Sequence, residues 1–250
     1  MSFLLENIGN SADWPLEDNE QYGSTQLVKL TRIQGVVGKN LHRNWLAIPH
    51  VTHDEHIVVD SFFDAKKEGS LSGVSFLASI VKATALTLKE FPSFNASTDA
   101  KGSELLLKDF VNIGVAVDTE HGLFVPVVER CDTKSMVDIS GDISTMANLA
   151  KEKKLPFEKM QGGTFTISSL GSIGGVGFTP IINAPQVAIL GASSVFDRPV
   201  RLPNDTLGWE KCLPVSLSYD HRIINGADAA RFCKRLEHNL KQLLGRGESE

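Results

Sequence analysis

The spacing of apolar side chains predicts four main helices along this chain. Apolar positions three or four residues apart predict one helix that ends before Pro49 and a second that ends near Phe91. Ser135 stands three residues before an aspartate, as in an N-cap, and predicts the start of a third helix. The last helix carries an apolar stripe from Phe232 to Leu243.

Alternating and continuous apolar runs predict strands between these helices. The clearest alternation covers 111–118, and a turn separates it from a second run over 123–128, so this pair predicts a hairpin. The other predicted strands cover 50–60, 164–168, 187–191 and 213–220. Because helices and strands mix and one hairpin is present, we expect a mixed α/β (α+β) fold with antiparallel pairs, not a regular parallel βαβ array.

Length and composition are those of a single folded domain with short extensions. The chain has 250 residues, of which 42% are hydrophobic and 22% charged, which excludes a mostly disordered or coiled-coil chain. Residues 1–26 are acidic, turn-rich and weakly patterned, so we expect an N-terminal arm there. The core is expected over 27–245 and a polar C-terminal tail over 246–250.

The charge balance and the cysteines exclude several classes of partner. Lys and Arg total 25 against 30 Asp and Glu, which gives a net charge of -5 and no basic excess for nucleic acid. No apolar run approaches the roughly 18 residues of a membrane span, and the start lacks the pattern of a secretory signal. Cys131, Cys212 and Cys233 are too few and too far apart for a disulfide framework, so we expect reduced thiols in a cytoplasmic protein.

Three suggestive motifs do not support the chemistry they first suggest. The glycine-rich stretch 171–177 lacks both the spacing and the following helix of a phosphate-binding loop. His50, His53 and His56 lie on one predicted strand, where residues three apart point to opposite faces, so no metal site is expected. Ser169 lacks the preceding glycine of a hydrolase elbow.

The strongest chemical signal is a histidine at the end of the last predicted strand. His221 follows the alternating run 213–220, and a helix begins a few residues later. An imidazole held there by a rigid scaffold is suited to proton transfer near neutral pH. On these grounds alone, a structural histidine remains the more frequent outcome.

His221 belongs to the stretch Asp-His-Arg-Ile-Ile-Asn-Gly over 220–226. Three further stretches precede it in chain order: a helix with the strand that follows it over 40–52, a serine-bearing strand over 161–171 and a core strand over 182–191. The stretch over 220–226 is similar to the His-x-x-x-Asp-Gly signature of the acyltransferase cores of 2-oxo acid dehydrogenase complexes, and the other three resemble segments of the same family. Chloramphenicol acetyltransferase shares the fold and the histidine of that family. The resemblance implies a chloramphenicol acetyltransferase-like two-layer sandwich with a mixed sheet and an active site at a trimer interface.

The resemblance also implies a reaction and its residues. Pyruvate-type members move an acetyl group between the dihydrolipoyl thiol of a lipoyl domain and coenzyme A, without a metal. By resemblance, His221 is the catalytic base, Ser168 donates to the tetrahedral oxyanion, and Asn225 fixes the histidine loop. Phe178 is a candidate wall of the substrate channel, although a core position is an equal alternative. The lipoyl group is expected on a separate domain.

The chain departs from the family pattern at its signature and at its end. Asn225 stands where the signature usually has aspartate, which removes a charge but keeps hydrogen-bonding capacity. The family implies a homotrimer, a cube built of eight trimers, and contacts with other components of a pyruvate dehydrogenase complex through further domains. The apolar anchor between trimers is expected among Leu240, Leu243 and Leu244, with the polar tail after it.

Three alternatives remain at this stage. A related enzyme would transfer a succinyl or branched-chain acyl group in place of acetyl. A non-catalytic scaffold would build a complex core without needing His221 or Ser168, and both residues are present here. An antibiotic acetyltransferase would accept chloramphenicol in place of dihydrolipoamide.

Overall fold

The computed structural model describes residues 19, 21–120 and 122–244, which form one mixed α/β unit. Its α-helices are α1 (Arg32–Ala47), α2 (Asp60–Lys67), α3 (Phe76–Glu90), α4 (Met136–Lys151) and α5 (Gly226–Leu243). Its strands are β1 (His50–Val58), β2 (Ala96–Thr98), β3 (Leu105–Leu107), β4 (Ile113–Val115), β5 (Val117–Thr119), β6 (Gly122–Phe124), β7 (Val127–Val128), β8 (Phe165–Ser169), β9 (Ala188–Ala192), β10 (Phe196–Arg201) and β11 (Leu207–Asp220). Short 3₁₀ turns lie at Pro92–Phe94 and Phe157–Met160.

A seven-stranded mixed sheet organises these elements. Its strand order is β1-β11-β9-β8-β4-β7, and β10 pairs with the first half of β11. The pairs β4–β8 and β8–β9 are parallel, and the remaining pairs of this sheet are antiparallel. The expected mixed sheet is therefore confirmed, and two-stranded sheets β2–β3 and β5–β6 stand beside it.

The two faces of the large sheet have opposite chemistry. Helices α2, α3, α4 and α5 cover one face and contribute side chains to a single large apolar cluster. Phe232 of α5 is fully buried in it, with its ring 4.5 Å from that of Phe94 and 6.2 Å from that of Phe165. Burial of such aromatic side chains supplies much of the stability of a core this size.

The other face carries hydroxyl and carboxylate groups. Because residues of one strand alternate between faces, the even-numbered residues of β11 point away from the helices. Ser216 donates to Asp54 Oδ1 at 2.6 Å, and Ser218 pairs with Thr52 at 2.8 Å, each across to β1. Ser216 and Ser218 are buried all the same.

Several local predictions agree with the structure. The Ser135 hydroxyl accepts the Asp138 N–H at 3.1 Å and caps α4, as expected. The predicted hairpin over 111–128 exists, but it is divided: β5 and β6 pair near its tip, while β4 and β7 join the large sheet. The last strand is longer than predicted, because it begins at Leu207 and pairs first with β10.

Other features were not predicted from the sequence. The sequence pattern does not predict helix α2 or strands β2, β3 and β10, because each has eight residues or fewer and little regular periodicity. The expected anchor between trimers is largely wrong, because Leu240 and Leu244 are 2% and 8% exposed and pack in the chain's own core. The tail over 246–250 lies outside the described residues, and so does most of the arm over 1–26.

The expected division of histidines between the two faces of β1 is confirmed. His50 donates from Nδ1 to Ile48 O at 2.8 Å and accepts the Ile182 N–H at Nε2, so both ring nitrogens have protein partners. His56 shares its face, and His53 points to the other. Among the described residues, no group of three candidate ligands converges on a metal position, and no helix is both long and apolar enough to cross a bilayer.

The three cysteines provide a test of the core. All three side chains are fully buried, and burial raises the pKa of the thiol to about 11 for Cys131 and about 12 for Cys233. Because the thiolate is the reactive species, we expect the native protein to react negligibly with Ellman's reagent within minutes. The guanidinium-unfolded chain should titrate three thiols. Rapid reaction of any thiol in the native protein would contradict the described packing.

Candidate active site

His221 lies directly after β11, where the strand turns toward α5. Its backbone N–H donates to Pro49 O at 3.1 Å, which ties the residue to the segment that precedes β1. The residue is exposed in the single chain, and its ring centroid lies 5.9 Å from that of the buried Tyr219. The expected placement at the end of a rigid strand is therefore confirmed, and the imidazole is available to a ligand or a neighbouring chain.

Ser168 lies in the middle of the sheet, on the face away from the helices. It is the pairing partner of Gly191 on β9, which in turn pairs with Ser216 on β11. Its neighbour Ser169 points to the opposite face because the side chains of a strand alternate. Within the described part of the chain, no group accepts a hydrogen bond from the Ser168 hydroxyl, so this donor is free for a ligand.

Within one chain, Ser168 and His221 do not meet. Ser168 is level with Ser216, and His221 is five residues farther along β11. At about 3.3 Å per residue and about 4.8 Å per strand, the two residues are separated by roughly 17 Å along the strands and about 10 Å across them. A site that uses both side chains therefore needs two copies of this chain.

Asn225 is the N-cap of α5. Its Oδ1 accepts the Asp228 N–H at 2.9 Å, and its Nδ2 donates to Asp228 Oδ2 at 2.7 Å. The amide thus holds the start of the helix that follows the His221 turn. Through that helix start, Asn225 would fix the position of the turn and so of the imidazole. Both ends of the amide are engaged by Asp228 and not by His221.

Phe178 covers the sheet beside Ser168. A Cβ atom added to Gly191 would lie 2.8 Å from Cζ of Phe178, so the ring rests directly on the bare backbone of β9. Glycine at 191 is what permits this approach. Phe178 is half-buried and lies outside both apolar clusters of buried residues, which favours the channel-wall interpretation over the core one.

An ion pair that the sequence pattern does not predict flanks the histidine. Arg222 binds the carboxylate of the buried Asp220, and this contact raises the pKa of the guanidinium. The signal was present as opposite charges two residues apart at the end of a strand, on either side of His221. Alternation alone does not show which carboxylate is buried, so the sequence does not predict the pair.

A cavity of about 450 Å³ opens next to this turn. Ile48, Arg43 and Arg222 line it together with the loop that follows β2 and the segment around Pro185. Among the described residues, the Arg43 guanidinium donates only to the neutral Asn44 Oδ1, at 3.2 Å from Nε and 3.0 Å from Nη2. Asp99 also lines the cavity. Its carboxylate accepts hydrogen bonds from three backbone N–H groups and from the Ser103 hydroxyl, and these bonds lower its pKa to about 2.

Comparison with protein families identifies the kind of domain. Residues 22–245 match the model of the 2-oxoacid dehydrogenases acyltransferase (catalytic domain). The acetyltransferase component of the pyruvate dehydrogenase complex of Cupriavidus necator is 48% identical over 225 residues, which are 88% of this chain and 40% of that protein. The chain spans 35–43% of the length of the first three curated relatives it matches.

Solved structures show the same fold. The dihydrolipoamide acetyltransferase of Azotobacter vinelandii, studied for the catalytic roles of a serine, a histidine and an asparagine, has a TM-score of 0.85 and 44% identity. A cubic core of a pyruvate dehydrogenase complex gives the same two values; each match covers 92% of this chain and 98% of the solved one. Chloramphenicol acetyltransferase, at 15% identity and a TM-score of 0.54, confirms the expected fold class.

The Asn225 cap leads to a stability prediction. Asn225→Ala should lower the free energy of unfolding by about 0.5–2 kcal/mol, because the Asp228 N–H loses its acceptor. Asn225→Asp should cost less: it keeps an acceptor at the helix start but sets a second carboxylate against that of Asp228. Added salt should recover part of that loss, since Asp228 is 40% exposed.

Denaturant unfolding at fixed protein concentration and two salt concentrations measures these changes. Asn148→Ala, at an exposed position inside α4, is the matched control and should not lower stability, because alanine has the higher helix propensity. A loss for Asn225→Asp as large as that for Asn225→Ala, and insensitive to salt, would contradict the cap as described.

Proposed function

The chain belongs to the family of 2-oxoacid dehydrogenase acyltransferase catalytic domains, and on this premise we propose that it transfers an acetyl group between the dihydrolipoyl thiol of a lipoyl domain and coenzyme A. The observation that carries the choice of acetyl is the 48% identity to a pyruvate dehydrogenase acetyltransferase over 88% of the chain. We place this acetyl transfer in the core of a pyruvate dehydrogenase complex. Three buried free thiols favour a reducing compartment, and we place it in the cytoplasm.

His221 is the general base of this reaction. Thiols such as cysteine have a pKa near 8.5, so at neutral pH little of either substrate is thiolate. As the sulfur of one thiol attacks the thioester carbonyl, the imidazole accepts its proton. The same proton returns to the departing sulfur, so that one C–S bond forms, one breaks, and the histidine ends unchanged.

Ser168 stabilises the tetrahedral oxyanion that forms between these two steps. Its hydroxyl has no competing acceptor in the described chain and lies on the open face of the sheet beside Phe178. A donor fixed on a strand needs little reorganisation when charge develops on the substrate oxygen. Phe178 forms part of the channel wall and limits access of water to the reacting carbonyl.

The active site is shared between neighbouring copies of the chain in a homotrimer. Support comes from the separation of Ser168 and His221 within one chain, which no side-chain movement spans. A head-to-tail ring closes with each copy giving its histidine to one interface and its serine to the other. The solved cubic core supports further assembly of such trimers into a cube. Lipoyl domains and the other complex components are its partners.

The assignment of the oxyanion donor is tested with two adjacent serines. Ser168→Ala should lower kcat by about 10²–10³-fold with little change in KM for either thiol, because the oxyanion exists only near the transition state. Ser169→Ala, whose side chain points to the opposite face, should keep wild-type kcat. Acetyl transfer from acetyl coenzyme A to dihydrolipoamide is the assay, with succinyl and branched-chain thioesters as alternative donors.

The reverse pattern, in which Ser169→Ala abolishes turnover and Ser168→Ala does not, would show that Ser169 and not Ser168 is the oxyanion donor. Preference for a succinyl or branched-chain thioester would replace the acetyl specificity while retaining the family chemistry.

The shared site is tested by complementation. His221→Ala alone should lose about 10²–10⁴-fold in turnover. When His221→Ala and Ser168→Ala chains are coexpressed in equal amounts, random assembly should return about a quarter of wild-type activity, because one interface in four then has both residues intact.

Sedimentation of the same preparations gives the number of chains per particle. Activity of the mixture no higher than the mean of the two single variants would exclude a site shared between chains, and so would an active monomer.

A further inference from the structure

An ion pair with a buried carboxylate and a partly exposed guanidinium flanks the catalytic histidine. The side chains of Asp220 and Arg222 are 1% and 24% exposed. The guanidinium binds the carboxylate in a bidentate manner: Nε donates to Oδ1 at 2.9 Å and Nη2 donates to Oδ2 at 2.6 Å. Paired donors of this kind fix geometry as well as adding attraction. His221 is the residue between the two partners.

The same carboxylate also fixes the backbone around His221. The Arg222 backbone N–H donates to Asp220 Oδ1 at 3.0 Å, which closes a turn with His221 inside it. The N–H groups of Ile223 and Ile224 donate to Asp220 O at 3.0 and 2.9 Å. With the bond from His221 to Pro49, the turn is held on both sides.

Arg222 extends this support to a third segment. Its Nη1 donates to Ala100 O at 2.9 Å, in the loop between β2 and β3. The loop is built around the guanidinium: Gly102 has φ +67°, and a Cβ there would lie 3.0 Å from Nε of Arg222. Asp99 stabilises the loop by accepting the Ser103 N–H at 2.8 Å.

We propose that Arg222 is the positioning residue for His221, holding the imidazole at the point of thiol proton transfer through the Asp220 carboxylate and the Ala100 carbonyl. Removing it would leave a buried carboxylate unpaired and release the turn from the loop. Lysine keeps the charge but lacks the planar fork, so it cannot bond both carboxylate oxygens and Ala100 at once. The kinetic part of this inference rests on the proposed function.

The test compares Arg222→Lys with wild type in the assembled protein. We expect kcat to fall about 10–100-fold, with KM for both thiol substrates within about twofold, since a small misplacement of a catalytic group costs rate and not binding. The kcat of Arg222→Met should fall further than that of Arg222→Lys. Hydrogen exchange, which does not depend on activity, should be faster in peptides covering 219–225 and unchanged in the rest of the sheet.

Arg198→Lys is the matched control. Arg198 pairs with Glu210 between β10 and β11, with side chains 38% and 23% exposed, and it contacts nothing near His221 in the described structure. This control should keep wild-type kcat and exchange. If Arg222→Lys fails to assemble, Gly102→Ala provides the second variant: its added Cβ displaces the guanidinium, and kcat and exchange should change in the same direction by less.

Wild-type kcat and unchanged exchange over 219–225 in Arg222→Lys would overturn the proposal. A loss of thermal stability with unaltered kcat would also overturn it, because Arg222 would then serve only the fold. If the wild-type chain transfers no acetyl group, the proposed function fails, and the exchange data alone decide whether Arg222 holds the turn.

Discussion

The register of β11 is the constraint on which the site depends. This strand pairs with β1 along one edge and with β9 and β10 along the other, so its position is specified from both sides. A slip of one residue would move Leu217 and Tyr219 out of the core and bury the polar face against the helices. The same register carries Asp220 to the buried end of the strand and leaves His221 as the first residue beyond it.

Local patterns were enough to predict the parts of the site that depend on one segment. Alternation over 213–220 located His221 at a strand end, and the spacing of Ser135 and Asp138 predicted a cap that the structure contains. The family resemblance then assigned roles that no pattern supplies. The proposed roles of Ser168, Asn225 and Phe178 rest on that resemblance.

The remaining features depend on contacts between distant segments. The parallel pairs β4–β8 and β8–β9 join segments about 20 to 50 residues apart, and nothing in either partner's alternation specifies the other. The separation of Ser168 from His221 follows only from these registers. Likewise, Leu240 and Leu244 look like an exposed apolar end in the sequence, but the packing of α5 against α3 buries them.

The proposed division of the base and the oxyanion donor between two chains has a physical consequence. Each of the two residues is held firmly within its own chain. Ser168 is fixed within a central strand, and the His221 turn is held by Pro49, Asp220 and Arg222. The remaining freedom is therefore the rigid-body placement of one copy against the next. Since effective catalysis needs reacting groups placed within a fraction of an ångström, the geometry of the interface determines the rate as directly as either side chain does. On this proposal assembly is a condition for activity, and substitutions that loosen the interface should act on kcat even when they lie far from both residues.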